Sequence, residues 1–417
     1  MAFCFYIEGK RMKFTRKPIA LALIAAGVSS MTVAPAALAE DAFFEALTGG
    51  KVSFSARARY ESVEQDNGLK DADAYTLRTT LGYKTGAFHG FSGFAEVEDV
   101  SDLGDGDFNN KVDGDADYSV VADPDDTEMN QAYLQYNGFD TEFKLGRQEL
   151  TYRGAPFHRF IGNVLWRQNH QSFDAFTLSN TSISDTEVKY AYINKVQTIL
   201  GGTQDMDSHL VNLKYTGLPF GTLEGYGYFL EYEDAAKTAS SSKTLGLRLS
   251  GAKAVSDDVK VIYTAEFAKQ DDYKDGTMDD QNYYLAELGA KYKGWLAKFS
   301  YEMQEGEGVG SFKTPLGTNH AYQGWADIYL ATPEQGLEDM YFTVVGKVLG
   351  AKVVAVYHDF ETDVSGLDAG NEFDILAQKT FKQHYTVGVK YSDFDAGDAS
   401  LGKVDTEKFW LYGQVKF

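Results

Sequence analysis

From Lys51 to Phe417 the polarity of this chain alternates with a period of two, and that period dominates what it can fold into. Phe54, Ala56, Ala58 and Tyr60 share one side of an extended run, with Ser55, Arg57 and Arg59 on the other. Tyr75, Leu77, Thr79, Leu81 and Tyr83 oppose Thr76, Arg78, Thr80 and Lys84 in the same way. Val188, Tyr190 and Tyr192 oppose Glu187, Lys189 and Ala191; Leu245, Leu247 and Leu249 oppose Thr244, Gly246, Arg248 and Ser250. Such strands are either half-buried in a soluble protein or face lipid on their apolar side. The rhythm predicts strands near 51–64, 73–85, 91–99, 128–137, 141–150, 172–180, 186–196, 208–216 and 222–233. It continues at 243–253, 258–270, 281–292, 295–304, 338–348, 351–361, 371–381, 383–394 and 405–417. That makes about eighteen, an even number, as a single-chain bacterial barrel uses to bring both termini to one side.

Two further features separate a barrel from a sandwich. Short connections such as Asn137-Gly-Phe-Asp140, Leu218-Pro-Phe-Gly221, Lys293-Gly294 and Leu349-Gly350 alternate with long loops rich in Asp, Gly and Ser. Short periplasmic turns and long extracellular loops give that asymmetry, whereas a sandwich has no reason for it. The chain also ends on Phe409, Leu411, Gly413, Val415 and Phe417 along one face, the pattern of a barrel-insertion signal. In hydrocarbon every backbone amide must be paired, so such a sheet closes on itself and its charged face turns inward. The expected fold class is therefore all-β, a transmembrane antiparallel up-and-down barrel with a water-filled bore.

The N-terminus supplies the route. Lys13, Arg16 and Lys17 precede the apolar run Ile19-Ala-Leu-Ala-Leu-Ile-Ala-Ala-Gly-Val28, and Ala37-Leu38-Ala39 follows. These are the parts of a secretory signal peptide, too short for a membrane span. The expected division is a leader over 1–39 and one barrel domain over 40–417, with Met12 an alternative start. The single cysteine, Cys4, falls in the leader, so no disulfide is expected in the exported part. The formal net charge is −22, and losing Lys10, Arg11, Lys13, Arg16 and Lys17 with only Glu8 makes the remainder more acidic. That balance speaks against nucleic acid as a partner.

The candidate bore-lining residues are arginines. Arg57, Arg59 and Arg78 lie on charged faces of adjacent expected strands, and Arg153, Arg159 and Arg167 on the long 151–171 segment, which could fold into the bore. With Arg147, and with Trp166 between them, they offer forked donors suited to carboxylate or phosphate. The structural reading is that they pair with Glu96, Glu98, Glu142 or Asp174 and stiffen the wall; both roles can hold together, as a field across the bore. Asp113, Asp115 and Asp117 alternate in an acidic loop and could ligate Ca²⁺, but the downstream Glu of an EF-hand is missing. No other cofactor is expected. The 312–339 segment, with Pro315, Trp325 and Pro333, reads as a plug-like loop in which Trp325 is an anchor or a sugar-stacking platform. The histidines show no metal-ligand spacing. The sequence carries no nucleophile elbow or phosphate loop, and His358-Asp359 is the one hint of a rim-site enzyme.

Several segments resemble the alginate-export family of outer-membrane barrels. These are Arg57-Ala-Arg-Tyr-Glu61, Thr76-Leu-Arg-Thr-Thr-Leu-Gly82, Leu145-Gly-Arg-Gln-Glu-Leu150, and Trp166 followed by Gln171-Ser-Phe-Asp-Ala-Phe176. The most specific is Phe312-Lys-Thr-Pro-Leu-Gly-Thr-Asn-His-Ala-Tyr-Gln-Gly-Trp-Ala-Asp327, continuing to Thr332-Pro-Glu-Gln-Gly-Leu-Glu-Asp339. The resemblance implies an eighteen-stranded barrel and a channel in a Gram-negative outer membrane. A polyuronate exporter would be expected to carry arginines all round the bore, whereas here only Arg248 follows Arg167. The resulting expectation is a passive channel for small polar or anionic solutes, oligosaccharide-like or uronate-like, with alginate export as the narrower version. The expected partners are outer-membrane lipid, lipopolysaccharide, the solutes, and the barrel-assembly machinery through the strand ending at Phe417. A plugged barrel acting as an adhesin or rim-site enzyme is the alternative of a different class.

Overall fold

The computed structural model describes residues 36–154 and 158–417, with side chains from Asp41. The expected leader lies almost wholly outside the described residues. One helix, α1 (Ala36–Thr48), precedes the strands. Its end docks where Gly86 N–H donates to Ala46 O (2.8 Å) and Phe43 meets Phe88 edge-on at 5.4 Å.

Eighteen strands follow. They begin with β1 (Lys51–Gln65), β2 (Ala72–Lys84), β3 (Phe91–Asp102), β4 (Asp126–Gly138), β5 (Thr141–Gln148) and β6 (Ser172–Asn180). Next come β7 (Thr186–Gln197), β8 (Thr203–Leu218), β9 (Gly221–Leu230), β10 (Ser242–Ala254), β11 (Val259–Asp272) and β12 (Gln281–Tyr292). The last are β13 (Trp295–Gln304), β14 (Leu337–Val348), β15 (Ala351–Glu361), β16 (Asp368–Phe381), β17 (Tyr385–Asp395) and β18 (Thr406–Lys416). Every strand pairs antiparallel with its chain neighbours, and β1 pairs with β18 from Ser55↔Lys416 to Gln65↔Thr406. The seam closes at its end, where Phe54 N–H donates to Phe417 O (3.2 Å) and Phe417 N–H returns the bond (2.9 Å). The barrel is thus an all-β closed sheet without a free edge, as the alternation requires.

The faces fall as the period predicts. Ser55, Arg57, Arg59 and Glu61 of β1 are buried inside, while Phe54 and, on other strands, Leu81, Leu134, Leu145, Leu247 and Leu288 stay exposed outside. Polar aromatics gather near the strand ends of this apolar belt; Tyr60 and Tyr75 lie 4.7 Å apart. The tight turns use the mirror-image conformation that matches strand twist: φ is positive at Phe139 and Asp140, at Lys293 and Gly294, and at Leu349 and Gly350. The largest boundary difference is at β8, which starts at Thr203 rather than 208. Thr203-Gln-Asp-Met-Asp207 has no apolar alternation, and it pairs as the extracellular tip of the β7–β8 hairpin beyond a bulge at Ile193 and Lys195.

Inside, the bore is entered by two long connections. Among the described residues, 149–171, between β5 and β6, and 305–336, between β13 and β14, carry most of their bulky side chains inward. Phe160, Ile161, Phe312, Leu316, Trp325 and Tyr329 are all buried. The segments meet each other through an Ile161–Leu316 bridge and a Gly162 N–H to Leu316 O bond of 2.8 Å.

Leu247 sits mid-strand on the lipid side and is 60% exposed. Leu247→Arg is expected to cost roughly 2–4 kcal/mol of folding in a bilayer, measured by urea unfolding into lipid vesicles.

Candidate functional site: a bore crossed by two segments

The first segment crosses the barrel from wall to wall. Near its start Arg153 donates to Glu266 of β11 (2.6 Å) and Glu224 of β9 (3.4 Å). Near its end it is gripped by β1 and β2, which lie across the ring from β9 to β11. Arg57 donates to Gln168 Oε1 (2.9 Å), Leu165 O (3.0 Å) and Trp166 O (3.1 Å), and also to Arg167 O. Arg59 donates to Trp166 O at 2.6 Å. Arg78 reaches Gln168 O and the His170 ring, 4.0 Å from Glu98. A loop turned away from water exposes carbonyls that must find donors, and a guanidinium with five N–H groups satisfies several at once.

The charged groups at this junction come from five parts of the chain. Arg59 pairs with Glu61 (2.9 Å) and with Asp123, which comes in from the extracellular loop after β3. Arg167 donates to Glu61 (3.1 Å) and to Asp327 of the second segment (2.7 Å), and Lys408 of β18 lies 3.8 Å from Asp327. Burying ions this deeply is tolerable only because each is paired. Asp327 holds its carboxyl well below the usual range despite burial, because His320, Lys408 and Arg167 surround it.

The second segment is held by an acidic wall. Trp325 N–H donates to Asp374 (3.2 Å) and Ala326 N–H to Glu372 (2.7 Å), both on β16. Arg159 of the first segment reaches Glu302 of β13 (2.9 Å) and donates to Gln323 (2.7 Å). Bases thus predominate on β17, β18, β1 and β2, with Glu61 among them, whereas the acids Glu266, Glu302, Glu372 and Asp374 stand on β11, β13 and β16, the last directly beside β17; the inserted segments touch both groups.

The residues singled out from the sequence divide as follows. Arg57, Arg59, Arg78, Arg159, Arg167 and Glu98 converge on the inserted segments and are buried. Trp166 stacks flat on His320 at 4.5 Å. Glu96 accepts from Asn130 (2.9 Å) and Gln131 (3.1 Å) rather than from an arginine. Arg147 and Asp174 pair with each other (2.8 Å), but strand alternation puts Arg147 on the face of the exposed Leu145. They belong to the outer face near the rim and do not line the bore. Asp113 accepts from Asn110 (2.9 Å), Asp115 from its own loop's Asp117 N–H (3.0 Å), and Asp117 faces Lys70 at 3.6 Å. Among the described residues no group of three or more His, Cys, Asp or Glu is placed to hold a metal ion. His358 does not act with Asp359, which faces outward; it bonds Asp339 of β14 at 2.9 Å behind the second segment. The reading that counted arginines missed Lys390 and Lys408, which continue the basic wall through β17 and β18. Inward parity on those strands was the available signal.

Beside the first segment a cavity of about 300 Å³ opens against β5 to β7, lined by Glu142, Lys144, Thr177, Ser179, Glu187 and Lys189. Lys144 and Lys189 sit there within 3.0 Å of Glu142 and Glu187 and remain partly open to water.

Two expectations follow from these contacts. Arg57→Met removes a donor from the carbonyls of Leu165, Trp166 and Arg167, of which Trp166 O keeps Arg59, so the 158–171 amides should exchange faster with solvent while the barrel stays folded. Leaving buried acceptors unpaired costs about 1–3 kcal/mol each. The second concerns pH. Burial pushes the His320 pKa down to about 3, against the pull of Asp327 and with the help of Lys390 and Arg167. An undocked His320 titrates near 6.5, so the undocked segment binds more protons between these values and docking weakens as pH falls below about 6.5. Hydrogen exchange across 312–336, corrected for intrinsic rates, should therefore quicken from pH 7.5 to 5, and His320→Gln should flatten that dependence.

The family model for alginate export matches residues 51–324. Among curated protein sequences none matches the chain. Solved structures share the fold at low identity. Pseudomonas aeruginosa OpdK, crystallised with vanillate, is 12% identical with a TM-score of 0.69, over 89% of this chain and 99% of that one. Acinetobacter baumannii OccAB2 is 14% identical with a TM-score of 0.69, over 89% and 99%. Pseudomonas aeruginosa OccD3 (OpdP) is 13% identical with a TM-score of 0.67, over 89% and 92%. The family match, on a closed barrel with an apolar belt outside and charges within, makes this chain a member of the alginate export family in the outer membrane of a Gram-negative bacterium.

Proposed function

We propose that the protein is a porin for passive diffusion of small anionic solutes, carboxylates above all, driven only by their gradients. One observation carries this reading. The bore is crossed and narrowed by segments pinned between predominantly basic and predominantly acidic strands, and beside them lies a water-accessible cavity in which Lys144 and Lys189 are paired with Glu142 and Glu187 and Glu149 stands close by. A filled soluble-type core would have no use for such polarity. A field across a narrowing favours solutes that carry charge, and forked or ammonium donors suit carboxylate oxygens. The OpdK structure with vanillate, a carboxylate, is in keeping with that chemistry. Uronate oligomers such as alginate fit the same donors and are the narrower form of the proposal.

The proposal extends to the setting. The terminal strand ending at Phe417, whose side chain is exposed and stacks on His384 at 4.9 Å, would be read by the barrel-assembly machinery. The acidic loop around Asp113, Asp115 and Asp117 would meet lipopolysaccharide through shared divalent ions such as calcium. Dense packing of the inserted segments favours the second reading, a closed barrel that presents its loops as an adhesin.

Single-channel recording in a planar bilayer under a salt gradient separates the two. Steady conductance with an anion-favouring reversal potential is expected, and replacing Lys144 and Lys189 by Gln should move that potential toward cations. A silent bilayer would transfer the case to the closed barrel.

A further inference from the structure

Three of the four tryptophans of the chain converge on one lysine. Lys390 lies on the inward face of β17, with Nζ 3.8 Å from the ring centre of Trp325, 4.0 Å from Trp166 and 5.1 Å from Trp410. The rings come from three places: Trp166 from the first inserted segment, Trp325 from the second, and Trp410 from the wall strand β18. Trp166 meets Trp410 edge-on at 5.4 Å and 80°. The fourth contact is His320. Its Nδ1–H donates to Asp327 (2.6 Å), which leaves Nε2 as an acceptor turned to the Lys390 ammonium. Among the described residues no carboxylate lies within 4.0 Å of Lys390 Nζ; Asp374, Asp327, Glu372 and Glu61 act on it only from farther away, so its direct contacts are rings and an imidazole. Lys390 is 4% exposed and Trp410 0%.

A box of aromatic faces around an ammonium is the arrangement that recognises organic cations, and it strengthens when water is excluded. Here the barrel provides the cation itself. Removing it would take away the one cation whose ring contacts reach both segments and β18, leaving the segments to approach Trp410 only through ring edges, while the Ile161–Leu316 and Arg167–Asp327 contacts between them remain. We propose that Lys390 is the latch joining both inserted segments to the wall, and that its cage is a binding site for a primary alkylammonium group, filled at rest by the lysine. The effect on flux rests on the channel reading; the cage itself does not.

The test compares the full-length protein with Lys390→Ala and Lys390→Met, by hydrogen exchange in detergent and by bilayer conductance. Methionine keeps most of the shape without the charge. In both variants the amides of 158–171 and 312–336 should exchange on the order of tenfold faster or more, as loss of a desolvated cation–π contact implies, and conductance should rise. Adding n-propylammonium, which restores the deleted atoms, should slow exchange again in Lys390→Ala and leave the wild type and Lys390→Met unchanged. Wild-type exchange in Lys390→Met would overturn the latch, because shape alone would then suffice. No response of Lys390→Ala to n-propylammonium would overturn the binding site. Should Lys390→Ala fail to fold, Lys390→Met decides the latch, and refolding of Lys390→Ala with and without n-propylammonium decides the site: rescue of folding supports it and no rescue overturns it. Faster exchange without any wild-type conductance would sink the channel reading and spare the latch; unchanged exchange in a conducting barrel would do the reverse.

Discussion

Everything in this molecule depends on one constraint: a backbone amide inside a lipid bilayer has no water to bond to. Each orphaned group costs several kcal/mol there, so the sheet must close, and the seam between β1 and β18 carries that closure down to Phe54 and Phe417. Closure then dictates the side chains. Residues pointing out must be apolar for lipid, and those pointing in are free to be charged. The usual order of a soluble protein, apolar within and polar without, is inverted along each strand.

The inverted interior raises a second problem, which the inserted segments answer. Charges such as Arg57, Glu98, Glu372 and Asp374 are buried, and buried charges need partners. The segments supply them through backbone as much as through side chains. Carbonyls of 165–168 quench the arginines of β1 and β2, and the N–H groups of Trp325 and Ala326 quench the acids of β16. The same contacts that fix the loops in place also set the polarity of the bore, so in the channel proposed above support and selectivity would be one role. An arginine that holds a loop carbonyl still contributes its charge to the field that a passing solute would meet.

Strand count and facing were legible because a period of two is local. Arg57 and Leu247 reveal their sides to anyone who counts along their own strands. Arg147 was misplaced inside the bore for lack of that count: it stands two residues from Leu145, and their shared parity sends both outward. The pairing of His358 was misread for a related reason. Asp359 is its neighbour in sequence, yet neighbours in a strand point apart, and Asp339 reaches it from the adjoining strand instead.

The sequence by itself determined the closed barrel, its facing and its membrane, since those follow from alternation, turn length and the need to pair every amide. The tertiary structure alone decided which partners meet inside. Asp123 finds Arg59, Arg167 finds both Glu61 and Asp327, and three tryptophans find Lys390. Those partners are separated by tens to hundreds of residues, and no periodicity links them. Only the ring of strands, by fixing where each wall stands, and the two segments that cross it, by fixing what each wall meets, bring them within reach.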